Sequence, residues 1–391
     1  MPAVDAVRRP ARILPVVVVA QFAGSSAWFA GNAVLVDLES AWRLAPGAVG
    51  EVTAAVQLGF IIGTLVFAVL AIADRVSPRV VFLACACACA AANAAILVAP
   101  PGMTTLLACR FATGFFLAGI YPVGMKIASG WFQGGLGRAL GYLVGALILG
   151  TAFPHLLKAL GQQWPWQAVI AGVSAACLAG GLLMFLCVPD GPYLARGARF
   201  DPGALARVFT IRRFRASACG YFGHMWELYA FLAFAPLAIV QHVAPDEVPF
   251  WSFCVIGGGA LGCVLGGLLS SRFGSARVAS AQLAASGLCC LVSPGLLVAP
   301  APLALGFLVF WGVVVSGDSP QFSALNAANA PREWVGSALT IVNCIGFAIT
   351  IVSLQLLGML VTALPVHWLF VCLAPGPVLG LLAMRPLIRQ A

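Results

Sequence analysis

Twelve predominantly apolar runs, each about 20 residues or longer, dominate this chain: about 13–36, 48–73, 79–100, 104–128, 137–158, 167–188, 216–240, 249–271, 276–298, 302–325, 335–361 and 366–385. At 1.5 Å rise per residue, a helix of that length crosses the roughly 30 Å hydrocarbon core of a bilayer. Inside lipid no water satisfies backbone N–H and C=O groups, so a span is a helix or part of a closed barrel. The alternating ten-residue pattern of a barrel strand is absent, and helices are expected throughout. Only 8% of residues are charged and the mean hydropathy is +1.02. Soluble domains carry roughly a quarter charged residues, so most of this surface must face lipid.

The net charge of +9 does not mark a nucleic-acid binder. Its cations sit at the ends of apolar runs, not on an accessible patch interleaved with aromatics. With the N-terminus in the cytoplasm, Arg8, Arg9, Arg12, Arg75, Arg79, Lys126, Arg138, Arg272, Arg277, Arg332, Arg385, Arg389 and six arginines of one central loop fall inside. Only Arg43 and Lys158 fall outside. That bias places both termini in the cytoplasm. A multi-pass protein of the plasma membrane, the inner membrane of a bacterium, is expected. No cleavable signal peptide is expected, because the first run is too long for a signal core and no A-x-A-like site follows.

The central loop, residues 189–215, is the one long polar connection, with Asp190 and Asp201 among its six arginines. Its basic face suits anionic headgroups. It divides the chain into an N-terminal six-helix bundle, 1–188, and a C-terminal one, 216–391. The halves superpose at an offset of 197 to 199 residues. Trp28 matches Trp226; residues 70–79 match 267–276, pairing Arg75 with Arg272; Gly114, Gly119 and Pro122 match Gly312, Gly317 and Pro320; Gly137-Arg-Ala-Leu matches Gly336-Ser-Ala-Leu. Four correspondences in the same order at one offset indicate an internal repeat. Parallel six-helix repeats place a solute site at the midplane between them.

On these features the chain resembles the major facilitator superfamily (MFS) over essentially its whole length. The family loop G-x-x-x-D-R-x-G-R-[RK] stands here as Leu70-Ala-Ile-Ala-Asp74-Arg75-Val-Ser77-Pro78-Arg79, with both glycines and one arginine lost. The second copy keeps Gly267, Arg272 and Gly274 but has Ser271 in place of the acid, and the fourth-helix pattern R-x-x-x-G appears as Arg110-Phe-Ala-Thr-Gly114. The resemblance implies an all-α membrane fold of twelve helices in two pseudo-repeats, and a functional monomer. It also implies a cytoplasmic gate of Asp74, Arg75, Arg79 and Arg272. There Asp74 would meet the positive N-terminal end of a facing helix from the other half.

Ionisable groups inside spans are costly and usually functional. Glu227 lies eleven residues into the seventh run, about 16 Å deep, and His224 precedes it by three residues on the same face. Asp318 lies past the middle of the tenth run and Arg110 about two turns into the fourth. Glu227 is expected to carry a coupling proton as the cavity alternates between wet and closed, with His224 tuning or relaying it. Asp318 supplies a second acid, and Arg110 a counter-ion or an anchor for an anionic substrate. Trp28, Asn32, Gln57, Tyr121, Trp226, Tyr229 and Asn343 lie on helices that would line the solute cavity, offering apolar walls and a few orienting dipoles.

Other functions find less support. Gly257-Gly-Gly259-Ala-Leu-Gly262 satisfies G-x-G-x-x-G, but it lies inside a span, where Gly258, Gly262 and Gly266 suit close helix approach instead of a dinucleotide. The four histidines and the serines form no catalytic constellation, so no enzyme is expected. The thirteen cysteines show neither CxxC nor zinc spacing, so no cofactor and no resident metal are expected. The reading is a secondary transporter of a small organic solute by alternating access, with protons as the second partner. A proton-independent facilitator, a transporter-like solute sensor and a transition-metal importer remain the alternatives. Residue types alone leave the substrate open among cation, zwitterion and anion.

Overall fold

The computed structural model describes residues 10–45, 47–132, 136–161, 164–194, 200–203 and 207–389. Arg8, Arg9, Arg196 and Arg199, counted above among the inward cations, lie outside this set. The described residues form helices and connections only, and eleven helices are long and apolar enough to cross a membrane. These are Val49–Val69, Pro78–Leu97, Met103–Trp131, Ala139–Leu160, Trp166–Cys187, Arg212–Ile239, Val248–Phe273, Ser275–Leu296, Ala301–Asn329, Val335–Leu360 and Val366–Ile388. They are the second to twelfth spans.

The first span differs from the uninterrupted run expected at 13–36. It is broken into α1 (Ile13–Ser25), α2 (Ala30–Ala33) and α3 (Leu35–Trp42), with Trp28 in the unwound stretch. The fourth span breaks between Leu117 and Tyr121, and the tenth at Asp318. Pro122 and Pro320 each stand in the first turn after their break. Proline has no N–H to donate and a helical φ already set, so it suits that position and cannot continue the preceding helix. Outer helix faces expose Leu58, Leu178, Leu182, Leu261, Leu265, Leu291 and Leu379, as a lipid-facing surface requires.

Helix packing repeats in the two halves. Spans two and four pair, and so do eight and ten; three with six is matched by nine with twelve; one with six by seven with twelve; one with five by seven with eleven. The match extends to single atoms. A Cβ on Gly114 would collide with the Val56 carbonyl, and one on Gly312 would collide with the Val255 carbonyl. Gly63 against Phe115 is likewise repeated by Gly262 against Val313. Backbones this close exclude any side chain, the small-residue packing that membrane helices use where burial against lipid gains nothing. Gly266 lies against Gly317 in the same seam, so the glycines of the eighth span do serve helix packing. Across the halves, span five packs on eight and span two on eleven. Gly114→Val and Gly312→Val are each expected to cost about 3 kcal/mol by forcing a helix pair apart. The check is thermal unfolding in detergent: equal losses are expected for the two variants, and an unshifted melt for either contradicts the repeated seam.

Candidate functional site

Where the halves meet, a central cavity of about 50 Å3 is enclosed by spans four, five, seven, ten and eleven. That holds a water or two, so the walls must part before a solute fits. Its polar surface comes from Tyr121, Thr151, Tyr221, Tyr229, Ser319, Ser323 and Asn343, with no charged side chain among the lining residues. Tyr121, Tyr229 and Asn343 were expected here. Thr151, Ser319 and Ser323 were not, because small hydroxylated residues do not stand out in an apolar run, nor was Tyr221.

An aromatic cluster joins the halves beside this cavity. Trp28 stacks on Tyr229 and on Phe347, each at 5.8 Å between ring centroids, and meets Phe60 at 5.0 Å; Phe60 and Phe347 lie 4.5 Å apart. Trp28 is therefore a partition between spans one and two and spans seven and eleven, not a cavity wall. Gln57, one turn before Phe60, is fully buried, and among the described residues neither its amide atoms nor the Trp28 Nε1–H has a hydrogen-bond partner. Asn32 donates to Thr53 Oγ1 at 2.7 Å and lines a separate outer cavity. Trp226 does not reach the centre. It faces a groove between spans seven, eleven and twelve, donating to the Cys372 carbonyl at 3.2 Å.

The buried charges separate into three places. Glu227, fully buried, accepts from Trp311 Nε1–H at 2.7 Å, Ser286 Oγ–H at 2.9 Å and Cys290 Sγ–H at 3.4 Å. These donors come from spans nine and ten, and Glu227 lines no part of the central cavity. Glu227 lies near the middle of Arg212–Ile239, but its side chain turns into the C-terminal half instead of toward the central cavity. His224 points elsewhere despite sharing its helix face. Its Nδ1 lies 2.8 Å from Asp318 Oδ1, and its Nε2 lies 2.7 Å from Ser319 Oγ. The His224 and Asp318 side chains are thus at ion-pair distance and fully buried. Asp318 directly precedes the helix Ser319–Asn329, where the macrodipole is positive. Ser319 connects this pair to the cavity it lines.

Arg110 has no acidic partner among the described residues and does not line the central cavity. Its Nη2 donates to the Ala27 and Trp28 carbonyls and its Nη1 to Asn93 Oδ1 at 3.0 Å. Asn93 in turn donates to Ser174 Oγ at 2.9 Å. The guanidinium thus satisfies carbonyls freed by the break in the first span, at the negative end of α1. The anion-anchor expectation finds no support here: Nη1 and Nη2 are taken up by acceptors that no sequence pattern displays, Nε has no partner among the described residues, and Arg110 does not line the central cavity.

In the loop after span two, Asp74 pairs with Lys126 of its own half at 2.6 Å instead of with a helix of the other half. The family-like loop lacks both glycines, and Lys126 lies within reach one helix away. Arg79 donates to the Phe185 carbonyl at 3.5 Å and lies 5.3 Å over its ring; Arg75 and Arg272 are exposed, the latter over Phe273. Among the described residues no group of three His, Cys, Asp or Glu side chains is placed to hold a metal ion.

A family model described as Major Facilitator Superfamily matches residues 17–353. The chain belongs to the Major Facilitator Superfamily. A search of curated proteins finds no significant match. Among solved structures the chain is similar to the proton:xylose symporter XylE bound to 6-bromo-6-deoxy-D-glucose, with TM-score 0.74, 13% identity and 97% of each chain covered. It is also similar to the MFS transporter FucP in the outward conformation, with TM-score 0.68 and 16% identity over 95% of this chain and 97% of that one. The E. coli fucose:proton symporter FucP, as a single-residue variant, gives TM-score 0.62, 16% identity and coverage of 96% and 99%. At these identities the likeness shows the fold, and with the family match it makes the chain a membrane transporter and not an enzyme.

Proposed function

We propose that the chain moves a small, uncharged, hydroxyl-rich solute by alternating access of two six-helix bundles, 1–188 and 216–391, and couples that movement to protons through His224 and Asp318. The observation that carries this reading is the fully buried His224–Asp318 pair, whose second ring nitrogen contacts cavity-lining Ser319. With a proton on the pair the site is neutral. Without it, Asp318 is an unpaired charge with no access to water, an expensive state for the closed transporter. In this reading the pair takes up its proton while the cavity is wet and crosses while loaded. The charge-free cavity lined by tyrosine, serine, threonine and asparagine supports a neutral solute recognised by hydroxyl and amide groups. That chemistry makes sugars, named for both structural neighbours, the first compounds to test. Both termini and the 189–215 linker lie on the cytoplasmic side in this reading, and the protein works as a monomer.

The test is solute uptake into proteoliposomes with and without an imposed pH gradient, using a panel of radiolabelled neutral sugars and polyols alongside organic cations and anions. Accumulation of a neutral compound only under the gradient is the expected result. Equal uptake in both conditions supports the proton-independent facilitator instead.

A further inference from the structure

A second cavity, of about 190 Å3, lies at the end of the bundle opposite the central linker, between spans one, five and seven and the end of eleven. Leu232 lines both this outer cavity and the central one, so one apolar side chain stands between them. The outer cavity presents hydrogen-bond acceptors. Glu39 Oε1 accepts from the Gly47 and Ala48 N–H groups at 3.0 and 3.3 Å, while its Oε2 has no partner among the described residues. Asn32 donates its Nδ2–H to Thr53, and its buried Oδ1 has no partner among the described residues. His155, 5% exposed, lines the same cavity. The nearest cation on the same helix, Lys158, is committed to Asp37 at 2.7 Å. Phe29, Phe234 and other apolar side chains complete the walls.

A buried amide oxygen without a partner among the described residues is costly unless a ligand or water satisfies it. A carboxylate, an amide oxygen and an imidazole nitrogen in one apolar chamber match a head group with several N–H donors, one positive charge and an apolar body. We propose that the outer cavity is a ligand site for a small primary ammonium with an apolar tail, separate from the neutral-solute site beyond Leu232. The ammonium supplies three donors to the three acceptors and balances the Glu39 charge. Its tail lies against Phe29 and Phe234. Nothing in this assignment depends on proton coupling or on the identity of the transported solute.

Benzylamine is the probe, with benzyl alcohol as the uncharged control of the same shape, titrated calorimetrically into the purified full-length protein in detergent. One saturable benzylamine site is expected, with benzyl alcohol about tenfold weaker or worse. Glu39→Gln keeps the Oε1 acceptor that holds Gly47 and Ala48 while removing the charge, and is expected to weaken benzylamine about tenfold. His155→Ala is expected to weaken it in the same direction, and Asn343→Ala, in the central cavity, to leave it unchanged. Absence of saturable binding to the unmodified protein overturns the proposal. So does equal affinity for benzyl alcohol, or benzylamine affinity unaltered in both Glu39→Gln and His155→Ala. If Glu39→Gln does not purify as a folded protein, His155→Ala decides alone.

Discussion

Arg110→Ala is expected to destabilise the protein by about 3 kcal/mol or more. The change deprives Asn93 Oδ1 and the Trp28 carbonyl of the Arg110 donors at a fully buried position and leaves the Ala27 carbonyl only the long Ala30 N–H contact at 3.4 Å. Each buried acceptor left unpaired costs roughly 1–3 kcal/mol, and hydrogen bonds from a charged donor lie at the upper end of that range. The unwound stretch of the first span then has no partner holding it, and Trp28 loses its fixed position against Tyr229 and Phe347. Arg110→Lys restores one charged donor but not the forked geometry that reaches three acceptors, so partial recovery is expected. Thermal unfolding in detergent, followed by size-exclusion chromatography, orders the three proteins: unmodified, Lys, Ala. An Ala variant as stable as the unmodified protein removes Arg110 from the structural role.

Asp318→Asn is expected to lower solute-driven proton movement by about 100-fold while preserving solute exchange. The amide keeps the size of the side chain at the start of Ser319–Asn329 but removes the charge that makes the unprotonated pair costly. His224 then has no buried counter-charge, and the closed state no longer discriminates between loaded and unloaded forms. Counterflow, in which unlabelled internal solute draws labelled solute inward, needs no net proton flux and is expected to persist. Loss of counterflow together with proton flux assigns Asp318 to solute binding or folding instead.

The apolar runs made the spans legible in the sequence because lipid imposes one length and one backbone solution on all of them. The repeat was legible for a related reason: Gly114 and Gly312 sit where two backbones nearly touch, so each half had to keep a residue without a side chain. The break in the first span was not legible, since no proline marks it and the groups that stabilise it are main-chain carbonyls. The break in the tenth was within reach, because Asp318-Ser319-Pro320 reads as a helix start.

Direction was the harder part of the site. Depth along the seventh span follows from counting residues, and Glu227 and His224 both lie near the middle of Arg212–Ile239. Azimuth does not follow, because that helix is buried on nearly every side and its sequence shows no polar stripe. Glu227 consequently faces Ser286, Cys290 and Trp311, while His224, one turn away, faces Asp318 and Ser319. Trp226, between them, points outward to the groove with span twelve. Three neighbouring residues therefore face three surroundings, and only the helices packed against them decide which.

The most direct measurement of the coupling claim is internal pH in proteoliposomes on addition of a transported solute, comparing the unmodified protein with Glu227→Gln and Asp318→Asn. Proton movement that survives Glu227→Gln and disappears in Asp318→Asn is the predicted result. Proton movement lost in Glu227→Gln but retained in Asp318→Asn would contradict the account and return the coupling proton to the carboxyl buried against Trp311.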